Sequence, residues 1–270
     1  MYTLLVWPVT EFLMFAAVTD PGSYRDYVIG DDPILDNGPM WFVGVLLLVS
    51  VGYAAWSHQR GHAAVPAPLR GRFLVWVAVA IGASTFFVRI VLPIGSTQAL
   101  NIHLWQWPQV LGAFWLGAIA GERGWFRPVR RRLTRRSGFI TLAVAGAVGA
   151  SIVGTIAVGG DEAAFAGGWS VPAFFAAMSE GTLVVAGSIW TLAWAQRHLD
   201  RTSCLRRAMA RSSYAAFMLQ GPVLVALAMG LRPMDLPGDV KALIVAALGI
   251  FVSFAGAHAL VRRTVLRRVL

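Results

Sequence analysis

Charged residues and cysteines are both scarce in this sequence. Charged side chains make up 13% of the 270 residues, whereas a soluble globular domain carries about 25%. Apolar residues make up 57%, and the mean hydropathy is +0.64, so the chain is not a water-soluble globule. The single cysteine, Cys204, excludes a disulfide framework within the chain and a zinc site built on cysteines.

Several short motifs that mark enzymes are also missing. The sequence has no phosphate-binding glycine loop, no Gly-x-Ser-x-Gly nucleophile elbow and no His-Glu-x-x-His zinc motif. We therefore expect no metal site and no bound cofactor. A motif scan by itself does not reveal an enzyme.

Long apolar runs are what the sequence has instead. A helix needs about 20 predominantly apolar residues to cross a bilayer, and nothing here shows the alternation of a membrane barrel. We predict an all-α polytopic membrane helix bundle that forms a single membrane domain over residues 1–270. Its eight predicted spans are 2–18, 40–56, 73–92, 105–120, 137–158, 171–195, 212–229 and 240–261.

The loops between these spans alternate in charge. Nineteen basic residues fall in the second, fourth and sixth loops and the C-terminal tail, whereas the other side carries only Arg25, Arg232 and Lys241. Short basic loops stay in the cytoplasm, so we predict a multi-pass protein of the cytoplasmic (inner) membrane with both termini cytoplasmic. The arginine run 127–136 could clamp nucleic-acid phosphates, but we interpret it as a topology signal that also attracts anionic lipid. The lipid bilayer, and not a nucleic acid, is the expected partner.

Ionisable residues are costly inside predicted spans, and they include Glu11 in the first span and His258 in the eighth as well as Arg89 and Glu180. Arg89 and Glu180 carry the main alternatives. Arg89 falls near the end of the third span, and Glu180 lies deeper, inside the sixth. They could act on a substrate, with the arginine neutralising a phosphate or carboxylate and the glutamate transferring a proton. Alternatively they form a desolvated ion pair or lock helices together. The sequence leaves both interpretations open and favours the structural one.

Other polar or small residues within the spans also have two interpretations. His103, Gln106 and Gln109 cluster at the start of the fourth span, and His258 lies near the end of the eighth. Either histidine could serve as a base near neutral pH, although packing is the commoner role at a span end. In the fifth span, small residues repeat every four positions and predict close approach of a neighbouring helix; they are Gly146, Ala150 and Gly154.

Four segments in register resemble the acyltransferase 3 family of integral membrane O-acyltransferases. Residues 38–43 read Gly-Pro-Met-Trp-Phe-Val, and residues 89–95 read Arg-Ile-Val-Leu-Pro-Ile-Gly. The third segment opens with Gln-Trp-Pro-Gln at 106–109 and continues to a Gly-Trp pair at 124–125. Residues 212–223 read Ser-Ser-Tyr-Ala-Ala-Phe-Met-Leu-Gln-Gly-Pro-Val. The resemblance covers most of the chain.

The resemblance implies a membrane-bound enzyme that moves an acyl group from acyl-CoA, its expected co-substrate, to a hydroxyl of a carbohydrate or other small acceptor. For such a reaction, the candidate catalytic residues among those present are Arg89, Glu180 and His103, and none of them replaces the histidine that the family uses. The candidate substrate-binding residues are Arg89, Gln106 and Gln109.

The sequence also departs from the family pattern. The family's Arg/Lys-x10-His motif, whose histidine is regarded as the catalytic centre, has no convincing counterpart, and Gln220 stands where a late histidine is typical. With eight predicted spans against about ten in the family, we expect that two N-terminal helices are absent. We also expect that the 270-residue chain is inactive alone and that another protein could supply those helices.

Two other functions remain open at this point. A small-solute transporter would show internal repeats with broken helices at matching positions, and we find none in the sequence. A catalytically inactive relative of the family that acts as a scaffold would account for the missing motif.

Overall fold

The computed structural model describes residues 9, 10, 12, 40–60, 69–96, 102–125, 129–199 and 203–263. Within these ranges the chain is all α-helical and has no strand, as predicted. Its α-helices are α1 Met40–Arg60, α2 Gly71–Val91, α3 Trp107–Glu122, α4 Arg131–Ala157, α5 Val171–His198, α6 Cys204–Leu231 and α7 Gly238–Arg263. Two short 3-10 turns, Leu104–Gln106 and Glu162–Phe165, precede α3 and α5.

Six of these helices are long and apolar enough to cross a membrane: all but α3. The α3 helix has 16 residues, and the 3-10 turn before it extends the helical segment to Leu104–Glu122. This segment corresponds to the shortest predicted span. The predicted first span, 2–18, lies almost wholly outside the described residues, so the count of eight spans and the side of the termini stay predictions.

Two helices begin earlier than hydropathy predicts. The α4 helix starts at Arg131 instead of residue 137, and α6 starts at Cys204 instead of residue 212. The added turns are rich in arginine, so a hydropathy window does not count them as part of a span. The backbone nevertheless continues its helical hydrogen bonds through these turns. Ser203 caps α6, because its hydroxyl accepts a hydrogen bond from the Arg206 amide at 3.2 Å.

The chain divides into two compact units. The larger contains α2 to α5 and most of α1, and the smaller contains α6 and α7. The prediction of a single membrane domain stays a prediction.

The larger unit is centred on a close crossing of α2 and α5. A Cβ added at Gly181 would lie 2.6 Å from the Gly82 nitrogen, and one added at Gly82 would lie 2.8 Å from Met178 Sδ. Ala177 and Thr85 are fully buried at the same crossing. Small residues allow two helix backbones to approach in this way. The crossing therefore fixes α2 against α5 on the side where Arg89 and Glu180 lie.

The close approach that the small residues of α4 allow is not made within the part of the chain that the structure describes. A Cβ added at Gly146 or Gly154 meets nothing within 4 Å. The contact between α4 and α5 is made instead at Gly138, where an added Cβ would lie 2.9 Å from Trp190 Nε1. A stripe of small residues permits close packing but does not supply the partner helix.

The α6 and α7 helices of the smaller unit form an antiparallel pair. Ala215 and Ala216 of α6 pack against Ala257 and Val261 of α7. A Cβ added at Gly249, farther from the α7 C-terminus, would meet Leu224 of α6. The pair is thus packed along much of its length through small residues.

Candidate functional site

Arg89 is buried in the last turn of α2, with only 3% of its side chain exposed. Its Nη1 donates to Glu180 Oε1 at 2.9 Å, and its Nη2 donates to Glu180 Oε2 at 2.7 Å. Two parallel hydrogen bonds of this kind are the strongest arrangement of an arginine and a carboxylate. The Glu180 side chain, in the third turn of α5, keeps 34% of its surface exposed. The two costly span residues therefore form an ion pair that joins α2 to α5.

Gln109 adds a third helix to this cluster. It lies in the first turn of α3, and its Nε2 donates to Glu180 Oε2. The carboxylate of Glu180 thus accepts hydrogen bonds from α2 and α3 while it is held on α5. We call Arg89, Glu180 and Gln109 the carboxylate cluster. The sequence singled out all three residues but did not indicate that one carboxylate would connect them.

An aromatic side chain lies against the cluster. Arg89 Cζ lies 5.5 Å from the centroid of the Trp105 ring, and the His103 ring centroid lies 5.7 Å from that of Trp105. A cation over an indole face is attracted by the ring electrons. Among the described residues, His103 is the one non-glycine residue with a positive φ, at 50°, a conformation that histidine adopts more readily than most residues. Trp105 therefore contacts both Arg89 and His103.

Gln106 lies next to this group but does not join the hydrogen bonds on Glu180. It precedes α3 and is half-buried, and its backbone N–H donates to the His103 carbonyl at 2.8 Å. The structure thus brings Arg89, Glu180 and Gln109 into direct contact. It places His103 against the Trp105 ring, which also contacts Arg89, and Gln106 lies beside them.

The backbone of Arg89 is held by the segment that leads into α5. The Gly168 amide donates to the Arg89 carbonyl at 3.0 Å, and the Ile94 amide donates to the Ala166 carbonyl at 2.9 Å. A Cβ added at Gly167 would lie 2.6 Å from the Arg89 oxygen, and Gly168 has a φ of +83°. These glycines were not singled out from the sequence, although a Gly-Gly pair shortly before the span 171–195 was visible there.

One donor in the cluster is unused. Arg89 Nε is buried and has no hydrogen-bond partner among the described residues. A buried guanidinium N–H without an acceptor is costly, whereas an oxygen of a bound substrate would satisfy it. The cluster can therefore hold helices together and still offer a donor to a ligand.

An apolar groove of about 580 Å³ lies between α2 and α3. Phe73 and Ile119 line one end of it, and Leu92, Leu104 and Trp107 line the other. From residue 73 to residue 92 a helix rises about 28 Å. Because Leu104 directly precedes Trp105, the groove ends beside the carboxylate cluster.

Neither a metal centre among the described residues nor a match to a curated protein or a solved structure assigns a role to this site. Within the described ranges no three His, Cys, Asp or Glu side chains lie close enough together to hold a metal ion. Comparison with curated proteins finds no significant match, and comparison with solved structures finds none either.

A family model does match the chain. The Acyl_transf_3 model, described as an acyltransferase domain, matches residues 1–262. The match includes the segments 89–95 and 106–109, which contribute Arg89 and Gln109 to the carboxylate cluster. The chain is a multi-pass membrane protein that belongs to the acyltransferase 3 family.

Proposed function

We propose that the protein transfers an acyl group from acyl-CoA to a hydroxyl of a carbohydrate or other small acceptor, in the cytoplasmic (inner) membrane. The observation that carries this proposal is the carboxylate cluster. Two segments of an acyltransferase sequence converge there on one carboxylate, beside a histidine and at the end of an apolar groove.

The proposed reaction is an O-acylation. The acceptor oxygen forms a bond to the thioester carbonyl carbon, and the carbon–sulfur bond of acyl-CoA breaks. The hydroxyl proton passes to a base and then to the departing thiolate, which leaves as coenzyme A. Such a transfer needs a positioned base and hydrogen-bond donors for the negative charge that develops on the carbonyl oxygen.

The residues at the site suggest a role for each requirement. His103 is the candidate base, and Arg89 Nε is the candidate donor to substrate oxygen, since it is buried without a partner. Gln106 and the amide of Gln109 are candidates for acceptor binding. Glu180 positions Arg89 and Gln109 through the hydrogen bonds that it accepts.

The groove between α2 and α3 is the proposed position of the acyl chain. Its lining is almost wholly apolar, and it ends beside Trp105. An acyl chain in the groove would place its thioester near the carboxylate cluster. This arrangement predicts that the depth of the groove limits the length of the transferred chain.

The test is transfer of radiolabelled acyl groups from acetyl-CoA and longer acyl-CoA esters into the carbohydrate and small-molecule fractions. Native membranes with the protein are compared with membranes from a deletion strain and from a strain that carries Arg89→Ala. Label that depends on the protein and on Arg89 supports the proposal. Equal label in all three membranes overturns it.

The same assay on the purified 270-residue chain tests the sequence-based expectation that this chain is inactive alone. Transfer by native membranes but not by the purified chain agrees with that expectation. Transfer by the purified chain contradicts it and supports the proposed activity.

A further inference from the structure

A second cavity lies in the smaller unit, between the N-terminal turns of α6 and the C-terminal turns of α7. Its volume is about 570 Å³. The polar residues that line it are Arg207, Arg211, Ser212, His258 and Arg262. None of these residues has a role in the proposed acyl transfer.

The charge of this cavity has one sign. Among the described residues, three guanidinium groups line it and no carboxylate does. Arg207 and Arg211 are four positions apart on α6, so they lie on the same face and repel each other. Arg262 approaches from α7. Because like charges at this spacing destabilise a helix, an anion between the three groups would stabilise the pair of helices.

Ser212 provides an independent indication of a ligand. The residue is completely buried, and its hydroxyl has no hydrogen-bond partner within the part of the chain that the structure describes. Serines in helices commonly bond to a backbone carbonyl one turn earlier, and the adjacent Ser213 does so, donating to the Ala210 carbonyl at 2.8 Å. A buried polar group without a partner is uncommon in a folded protein and calls for an acceptor.

We propose that this cavity binds a phosphate group. Arginine guanidinium groups match phosphate oxygens geometrically and remain charged. Arg207, Arg211 and Arg262 supply N–H donors, and Ser212 supplies an O–H donor. The phosphate belongs either to an anionic phospholipid headgroup or to a soluble nucleotide such as coenzyme A. Phosphate binding can be measured whether or not the chain transfers acyl groups. Only binding of coenzyme A would connect this cavity with the proposed function.

The experiment measures binding of two probes to the purified chain. One is phosphatidylglycerol, compared with phosphatidylcholine by native mass spectrometry, and the other is tritiated coenzyme A in equilibrium dialysis. The variants are Ser212→Ala and the double variant Arg207→Gln/Arg211→Gln. The matched control is Arg131→Gln/Arg132→Gln, which removes two exposed arginines from the start of α4.

We expect one probe to bind, with affinity reduced about tenfold or more in the α6 double variant and less than twofold in the α4 control. Ser212→Ala removes a hydroxyl without changing charge, so a measurable loss in this variant distinguishes a built site from diffuse attraction. Preference for phosphatidylglycerol assigns the site to lipid, and binding of coenzyme A without that preference assigns it to a nucleotide. Binding of neither probe, or equal loss in both double variants, overturns the proposal.

Discussion

Arg89 and Glu180 are 91 residues apart in the sequence and form two parallel hydrogen bonds between α2 and α5. Their burial is unequal, because the arginine side chain is 3% exposed and the glutamate side chain is 34% exposed. Removal of the Glu180 carboxylate therefore leaves the buried Arg89 charge without its partner, whereas removal of Arg89 leaves a Glu180 charge that water can reach. Because of this asymmetry, substitutions of the two residues should change stability by different amounts. Measured together with activity, these variants distinguish the structural interpretation of the pair from the catalytic one.

The first prediction concerns the stability of variants of this pair. Glu180→Ala should lower the free energy of unfolding by about 3–5 kcal/mol, since it leaves Arg89 buried and unpaired. Arg89→Ala should cost less, and the double variant Arg89→Met/Glu180→Met should recover much of the loss, because an apolar pair needs no compensation. Thermal unfolding in detergent measures all three. Equal losses from the two alanine variants would contradict the inferred burial.

The same variants separate stability from activity. If Arg89 only holds helices together, the double methionine variant should regain acyl transfer along with stability. We expect stability without transfer, because the proposed role needs the Arg89 Nε donor. Restored transfer in a stable double variant would remove Arg89 from the site.

The second prediction concerns the attachment of α3. Gln109→Ala should increase hydrogen exchange at the start of α3, because it removes a hydrogen bond to a charged oxygen that contributes about 1.5–3 kcal/mol. Gln106→Ala is the matched control, since its side chain does not bond to Glu180. Similar exchange in the two variants would show that Gln109 does not anchor the helix.

The third prediction tests the close crossing of α2 and α5. Gly181→Ala should destabilise the protein, because the new Cβ would lie 2.6 Å from the Gly82 nitrogen. Gly117→Ala on α3 meets nothing within 4 Å, so the gain in helix propensity, up to about 1 kcal/mol, should appear there. Unfolding temperatures in detergent should therefore shift in opposite directions.

The fourth prediction concerns the apolar groove and rests on the proposed function. Ala80→Trp should fill the groove and shift transfer towards shorter acyl chains, because Ala80 lines it. Val79→Trp adds the same ring to the neighbouring position, which does not line the groove, and should leave the preference unchanged. Competition between acetyl-CoA and a longer acyl-CoA measures the ratio, and an identical profile for both variants would argue against an acyl chain in the groove.

The fifth prediction tests the side of the loops. In a Cys204→Ser background, Asp161→Cys should react with a membrane-impermeant maleimide in intact cells, whereas Arg131→Cys should react only after the membrane is opened. Both positions are exposed, and the basic loops are predicted to be cytoplasmic. The reverse pattern would invert the predicted topology.

Hydropathy predicted the helices well, but it could not predict their contacts. Seven of the eight predicted spans correspond to described helices, because about 20 apolar residues suffice to indicate a span. The starts of α4 and α6 were missed, since arginine-rich turns remain helical outside the apolar core. Apolar composition is nearly the same on every face of a span, so it does not reveal which helices touch.

The site could be predicted residue by residue but not as an arrangement. Arg89, Glu180 and Gln109 were singled out because polar groups are costly inside a membrane. Their convergence depends on the crossing at Gly82 and Gly181. Gly181 continues a four-residue repeat of small residues on α5, Ala173 and Ala177, which was not singled out from the sequence. The stripe that was singled out lies on α4, and a Cβ added at Gly146 or Gly154 meets no described atom within 4 Å. A repeat of small residues therefore does not show by itself which helix packs against it.

Arg89 is held at both ends, since Glu180 binds its guanidinium and Gly168 binds its carbonyl. Gly168 lies three residues before α5 begins, and Glu180 lies within that helix. The last turn of α2 is therefore attached at two points to the start of α5 and the segment before it, and we call this doubly attached pair the strut. Widening the site by moving these two helices apart would break both attachments at once. Motion that admits a substrate is therefore easier at α3, which Gln109 attaches to the strut by one amide hydrogen bond.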